Sequence, residues 1–187
     1  MLSITGRPSR ALLRERLDLY ARVGVEQFLI YPRTGLEFEY MGDAWLDACF
    51  HIVEYAAERG MGVWLYDEFN WPSGKCGGQV VKADPAFALR KISVFCEPGV
   101  EAFQSRYVWG ESQIPIYADL FNPQAVERFI AMTHERYASR LSRYFGGVVK
   151  GIFTDEPSFA YAKFHPTHGA LIELPYYASL EKDYRDQ

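Results

Sequence analysis

Apolar positions in the first part of the chain predict an alternation of helices and strands. Apolar side chains recur at helical spacing over residues 8–24 and again over residues 43–60, and each stripe ends at a glycine. Strands are predicted after each helix, at residues 27–31 and 63–66. The second of these runs is apolar on both faces, which is typical of a central parallel strand covered by helices.

The middle of the chain departs from this alternation. We predict a small antiparallel β excursion over residues 92–118, inserted in a loop of the main fold. Its strands are predicted at residues 92–95, 106–109 and 114–117, with breaks at Pro98-Gly99 and Gly110-Glu111.

Helix and strand return near residue 122. A single long helix is predicted from Asn122 to Gly146, and a strand over residues 148–154 follows it. The tail, residues 159–187, is rich in aromatic residues and prolines but has no clear period. We predict that it is loop, with one helical turn near its end.

This order of elements favours an α/β fold with a parallel sheet. Parallel strands joined by helices close most often as a (β/α)8 TIM barrel, which needs about 250 residues, and the alternative is an open doubly wound sheet. If the first helix follows a strand lost before Met1, the predicted strands become strands two to four of a barrel that continues beyond Gln187. We therefore expect residues 1–187 to form a single, incomplete TIM-barrel catalytic domain.

Composition narrows the class of protein. The chain is 49% hydrophobic and 24% charged, as in ordinary globular proteins, and its net charge of -4 offers no basic surface for nucleic acid. No segment is apolar for the roughly 18 residues that a membrane helix needs, and residues 1–10 lack a secretory signal. A cytoplasmic location is expected for the chain as written. A truncated N-terminus would make it secreted or periplasmic.

Two of the predicted strands end in an Asp-Glu pair that is followed at once by loop residues. These pairs are Asp67-Glu68 and Asp155-Glu156. The carboxyl ends of barrel strands carry catalytic groups, and cleavage of a glycosidic bond needs one carboxylic acid and a second carboxylate. We predict that Glu156 is the general acid and that Glu68 is the second catalytic residue.

Other polar and aromatic residues at or after the ends of the predicted strands are candidates for sugar binding. They are Tyr31, Arg33, Asp67, Asn70, Trp71 and Asp155. Three of them also have a structural interpretation: Arg33 could pair with Glu37 or Glu39, Trp71 could anchor a packed turn, and Asp155 could cap the turn that follows it. His165 and His168 lack further ligands at fixed spacing, so we predict no metal site there.

Two segments resemble blocks of a known group of enzymes. Residues 64–78 read Trp-Leu-Tyr-Asp-Glu-Phe-Asn-Trp-Pro-Ser-Gly-Lys-Cys-Gly-Gly, and residues 151–157 read Gly-Ile-Phe-Thr-Asp-Glu-Pro. They resemble signatures of large bacterial alpha-L-rhamnosidase-like glycosyl hydrolases, near glycoside hydrolase family 106. The resemblance implies a barrel in a longer enzyme, action on terminal rhamnose of plant polysaccharide or related glycosides, and an active-site calcium. It also implies that a later strand supplies the partner carboxylate.

Two other functions are open from the sequence. The chain could be a carbohydrate-binding or scaffold domain without catalysis, or a metal-dependent sugar isomerase or hydrolase with the four acidic residues as ligands. Half a barrel also leaves strand edges unpaired, which predicts self-association.

Overall fold

The computed structural model describes residues 1–96, 107–157, 170–176 and 182. The chain separates into two compact units. The first comprises Met1–Gly77 and Arg128–Pro157, and the second holds the described residues of 78–127 and 158–187. In chain order the elements are β1 (Leu2–Gly6), α1 (Arg10–Arg22), β2 (Gln27–Leu36), α2 (Asp43–Glu58), β3 (Gly62–Tyr66), α3 (Gln79–Ala83), β4 (Ala88–Cys96), β5 (Tyr107–Ala118), α4 (Pro123–Met132), α5 (His134–Leu141), β6 (Val149–Phe153) and β7 (Ala170–Pro175).

The first unit contains a parallel sheet of four strands in the order β1-β2-β3-β6. Each strand lies beside the one that precedes it in this unit, so the order never reverses along the sheet. The predicted strands at 63–66 and 148–154 and the predicted helix at 43–60 are confirmed within a few residues. The strand predicted at 27–31 is also confirmed, but it continues to Leu36, so the end predicted for it was wrong. The protein is therefore a mixed α/β protein.

The N-terminal strand corrects one prediction. Residues 2–6 form β1, which pairs in parallel with β2, so the strand that was expected before Met1 lies within the chain. Its burial alternates: Leu2 and Ile4 are buried, whereas Ser3 and Thr5 are exposed. A five-residue run that is apolar on one face only gives too short a pattern to be recognised, and its pairing with β2 decides its structure.

The two faces of the parallel sheet differ in burial. On one face Ile30, Val63 and Leu65 are fully buried, and α2, against which α1 and α5 pack, contacts β3. The other face carries Trp64, which is 38% exposed, and Phe153, which is 45% exposed. The hydrophobic core of the first unit thus lies on the helix side of the sheet.

The second unit contains a small antiparallel sheet in the order β5-β4-β7. This confirms an antiparallel excursion, but two details were wrong. Gly110 and Glu111 do not break a strand, because they pair with Ser93 and Ile92 inside one continuous β5. Part of the tail that was predicted as loop forms β7, which depends on pairing with β4 and not on its own short pattern.

The long helix predicted after residue 122 is interrupted. It ends at Met132 as α4 and resumes at His134 as α5. Between them the Thr133 hydroxyl donates a hydrogen bond of 2.7 Å to the carbonyl of Phe129, a side-chain contact that competes with the helical backbone. Among the described helices, none combines the length and the apolar character needed to cross a bilayer.

Candidate functional site

The two acidic motifs lie at one edge of the parallel sheet. β3 and β6 are neighbouring parallel strands, so the residues that follow them leave the sheet at the same edge. Ser73, in the loop after β3, makes two bonds to Asp155, which follows β6. The Ser73 backbone N–H donates to the Asp155 carbonyl at 2.9 Å, and the Asp155 N–H donates to Ser73 Oγ at 2.9 Å. The two motifs therefore form one site.

Asp67 is completely buried and joins three elements of this site. Its Oδ1 accepts a hydrogen bond from Ser73 Oγ at 2.6 Å, and its Oδ2 accepts one from Thr154 Oγ1 at 2.6 Å. Nε2 of His134, the first residue of α5, lies 4.0 Å from the same Oδ2. Burial lowers the pKa of His134, and the charge of Asp67 acts in the opposite direction. Asp67 was predicted to bind sugar, and its oxygens are engaged by protein hydroxyls.

Glu68 is also fully buried, and its carboxylate is surrounded by backbone N–H groups of the loop that follows it. Oε1 accepts from Phe69 at 2.7 Å and Gly77 at 2.6 Å, and Oε2 accepts from Lys75 at 2.8 Å and Cys76 at 2.9 Å. Burial raises the pKa of Glu68, while Lys75 and the backbone N–H groups oppose the shift. A carboxylate has about four lone-pair sites, and here all are used. The geometry gives Glu68 the role of organising the loop.

Two neighbouring tyrosines, Tyr31 and Tyr66, link the middle of β2 to the end of β3 and to the loop after β6. Tyr66 Oη donates to Asp155 Oδ2 at 3.0 Å, and the rings of Tyr66 and Tyr31 lie 4.5 Å apart. The exposed guanidinium of Arg33 lies 5.2 Å from the centre of the Tyr31 ring, and Nη1 is 3.4 Å from Tyr31 Oη. Burial raises the pKa of Tyr66, and its bonds to Tyr31 and Asp155 add to the shift. Arg33 thus contacts Tyr31, whereas an ion pair with Glu37 or Glu39 was the structural alternative.

Glu156 is the exposed carboxyl group of the site. Among the residues that the structure describes, its side chain has no hydrogen-bond or ion-pair partner. Its backbone has a φ of 41°, in the left-handed region that residues other than glycine seldom adopt. Asn70 has a φ of 57°, and its Oδ1 accepts from Thr34 Oγ1 at 3.2 Å. Such conformations persist where surrounding structure enforces them, and they are concentrated at functional sites.

Exposed aromatic side chains accompany Glu156. Trp71, in the loop after β3, is 48% exposed, and Phe153, the last residue of β6, is stacked on Tyr66 at 6.2 Å between ring centres. Flat, exposed rings of this kind suit the apolar faces of sugars. The structure thus places Asp67, Asn70, Trp71 and Asp155 in the loops that follow β3 and β6, whereas Tyr31 and Arg33, which were expected at and after the end of the second strand, lie within β2 because that strand continues to Leu36.

Sequence reasoning missed several residues of the site. Tyr66 and Thr154 were counted as ordinary strand residues, although both stand directly before an acidic pair, and that position is a usable signal. His134 was assigned to a helix, and nothing in the local sequence indicates that α5 begins beside Asp67. His165 and His168, the pair considered for metal binding, lie outside the described residues.

Comparisons with family models, with curated proteins and with solved structures found no match to this chain. The resemblance to rhamnosidases therefore depends on the two sequence blocks alone. Within the described residues, no group of three His, Cys, Asp or Glu side chains is placed to hold a metal ion.

Proposed function

We propose that the first unit is part of the TIM barrel of a glycoside hydrolase and carries its general acid. The order of the parallel strands supports this fold. A doubly wound sheet reverses its strand order at a switch point, where its ligands bind, whereas a barrel adds successive strands in one direction. The order β1-β2-β3-β6 follows the second pattern. Within the described part of the first unit, α2 packs on β3, and Val63 and Leu65 of that strand are fully buried, as expected for the outside of a barrel.

The proposed chemistry depends on a difference in exposure and hydrogen bonding between Glu156 and the acidic residues around it. Asp67 and Glu68 are buried with their oxygens engaged by protein donors, and Asp155 is held by Tyr66 and Ser73. Glu156 alone among the four presents an exposed carboxyl group. It follows the end of β6, and its backbone is in the left-handed conformation. It is the group free to give a proton to a departing glycosidic oxygen.

The neighbouring side chains support a sugar as the substrate. Trp71 and Phe153 offer rings for stacking, and the Arg33 guanidinium offers several N–H donors for hydroxyl or carboxylate oxygens. Following the resemblance, terminal alpha-L-rhamnose on a plant-type polysaccharide or glycoside is the first sugar to test. The second carboxylate is proposed to come from a later barrel strand. In this proposal Glu68 fixes the loop that carries Trp71 and does not react itself.

Leaving-group dependence tests the role of Glu156. A longer protein that also contains the later barrel strands is assayed as wild type, as Glu156→Gln and as the control Glu37→Gln, which changes another exposed glutamate. The substrates are rhamnosides and a panel of other glycosides. A nitrophenolate leaves without help from an acid, whereas an alcohol needs a proton. Glu156→Gln should therefore lower kcat/KM by about 10²–10⁴-fold on alkyl glycosides and far less on nitrophenyl glycosides. Equal loss on both classes, or none, would rule out Glu156 as the proton donor.

A non-catalytic carbohydrate-binding domain is the second candidate. Asp67 and Glu68 both accept hydrogen bonds from protein groups, so the described site does not contain the two free carboxylates that hydrolysis needs. The exposed aromatic rings could still bind a sugar. Glycan binding by both wild type and Glu156→Gln, with no turnover by either, would support this function. The metal-dependent alternative is less well supported, because it needs the same Asp67 and Glu68 oxygens as ligands. Activity lost on chelation and restored by manganese or magnesium would favour it.

A further inference from the structure

The ammonium group of Lys75 is enclosed by the loop that follows β3. Its Nζ donates to the backbone carbonyls of Asn70 at 2.7 Å, Trp71 at 3.1 Å and Pro72 at 3.2 Å. A lysine ammonium has three N–H donors, so each has a carbonyl acceptor here. The side chain is half-buried, and burial lowers the pKa of Lys75 while Glu68 opposes the shift.

Lys75 and Glu68 carry opposite charges, and both bind backbone groups of the same loop. The carboxylate accepts hydrogen bonds from the N–H groups of residues 69, 75, 76 and 77, and the ammonium donates to the carbonyls of residues 70, 71 and 72. Three of the four non-glycine residues with positive φ in the described part of the chain are in this loop or at Glu156: Asn70, Cys76 and Glu156. A loop with this many left-handed residues does not persist by local propensity and needs enforcing contacts.

We propose that the carbonyl oxygens of Asn70, Trp71 and Pro72 form a monovalent-cation site, which the chain fills with its own Lys75 ammonium. Carbonyl shells of this kind replace the hydration of potassium-sized ions. Smaller and harder cations demand shorter oxygen distances, and calcium sites use charged carboxylate oxygens, whereas the three acceptors here are neutral carbonyls. The site therefore suits ammonium and potassium. Lys75 is a positioning residue for Asn70 and Trp71, because the site is made of their own backbone carbonyls.

The inference concerns the loop itself and stands whether or not the chain cleaves sugars, so it is tested without a substrate. Lys75→Ala removes the ammonium and leaves room for a free cation. Lys75→Met removes the charge but fills the room with a side chain of similar length. Lys82→Ala changes an exposed lysine of α3 and serves as the control.

Amide hydrogen exchange by NMR is the measurement, read at the N–H groups of residues 69, 76 and 77 that bond to Glu68. We expect Lys75→Ala and Lys75→Met to exchange about tenfold faster or more at these amides, as expected for the loss of charged hydrogen bonds, and Lys82→Ala to match wild type. Ammonium or potassium chloride should restore protection to Lys75→Ala alone. Lithium chloride at the same ionic strength should not.

Wild-type exchange in Lys75→Ala without added cation would overturn the proposal, and so would equal restoration by lithium. If both variants unfold, the site is tested by a second measurement on the wild-type chain. The ¹⁵N-coupled ammonium protons of Lys75 should exchange slowly enough with water to be observed, unlike those of Lys82. An ammonium signal from Lys75 that exchanges as fast as that of Lys82 would also refute the site.

Discussion

Glu156 adopts a backbone conformation that costs free energy for a residue with a side chain. Its φ of 41° lies in the left-handed region, where the Cβ atom comes close to the following carbonyl oxygen. Nothing in an exposed glutamate compensates for that cost through packing. A residue that is retained at such a position is held there by neighbouring structure, in this case the bonds between Ser73 and Asp155.

A substitution to glycine separates backbone strain from chemistry at this position. Glu156→Gly should raise the free energy of unfolding by about 1 kcal/mol, because glycine adopts positive φ without the Cβ clash. Glu156→Gln keeps the strain and should leave stability unchanged. Urea denaturation of the three proteins measures both values. If Glu156→Gly is no more stable than Glu156→Gln, the left-handed conformation of Glu156 is not strained.

The position of His134 beside buried Asp67 predicts a dependence of stability on pH. Burial lowers the pKa of His134, whose ring lies among Asp67, Thr133 and the Phe129 ring, so the folded protein protonates this imidazole less readily than the unfolded chain does. The unfolded chain binds a proton at the ordinary histidine pKa of about 6.5. The free energy of unfolding should therefore be highest above that pH and fall as the pH decreases through it towards the folded pKa.

Replacement of His134 isolates this contribution. His134→Asn should flatten the decrease in the free energy of unfolding between about pH 7.5 and about pH 5.5, because it removes the group that titrates in that range. Urea denaturation at each pH provides the measurement, with His134→Gln as a second neutral variant. An unchanged slope in both variants would show that the pKa of His134 does not differ between the folded and unfolded states.

At the scale of elements, the contact between β3 and β6 depends on a residue without a side chain. Trp64 pairs in register with Gly151, and a Cβ atom added at Gly151 would lie 2.8 Å from the indole ring. The indole is fixed from the other side, because Nε1 donates to Gln27 Oε1 at 3.0 Å. Close packing of the ring on the neighbouring strand is therefore possible only with glycine at this position.

Two glycine substitutions in neighbouring strands test this contact. Gly151→Ala should lower the free energy of unfolding by about 1–3 kcal/mol, because the indole must leave its position. Gly62→Ala is the comparison variant. Its Cβ would meet the side chains of Lys150 and of Gln27, the residue that accepts from Trp64, and both side chains can shift without moving the indole ring, so we expect a smaller loss. Thermal denaturation of both variants decides the order. Equal losses would mean that Trp64 is free to move.

The sequence pattern located the elements whose apolar positions are complete and missed those that depend on partners. α2 and β3 have strong patterns and were predicted closely. β1 and β7 were missed because pairing with a neighbour stabilises them more than their own short patterns do. At the site, the position of the acidic pairs after strands was predictable. The enclosure of Glu68 was not, since it depends on the folded path of a loop with left-handed residues.

At the scale of the molecule, the first unit exposes surface that parallel sheets normally cover. All-parallel sheets are found with both faces buried, yet here Trp64 and Phe153 remain exposed on the face opposite the helices. In the part of the chain that the structure describes, β1 and β6 each pair with one neighbouring strand only. Open edges beside an exposed aromatic face favour pairing with another chain.

We expect the purified chain to self-associate. Sedimentation velocity over about a tenfold range of concentration should show dimers or larger species whose fraction rises with concentration. Trp64→Gln should reduce association, since it removes apolar area from the exposed sheet face. Leu19→Gln removes an exposed apolar side chain from α1 and should leave association unchanged. A monomer at every concentration would contradict both the open-edge argument and the proposal that the sheet is part of a barrel.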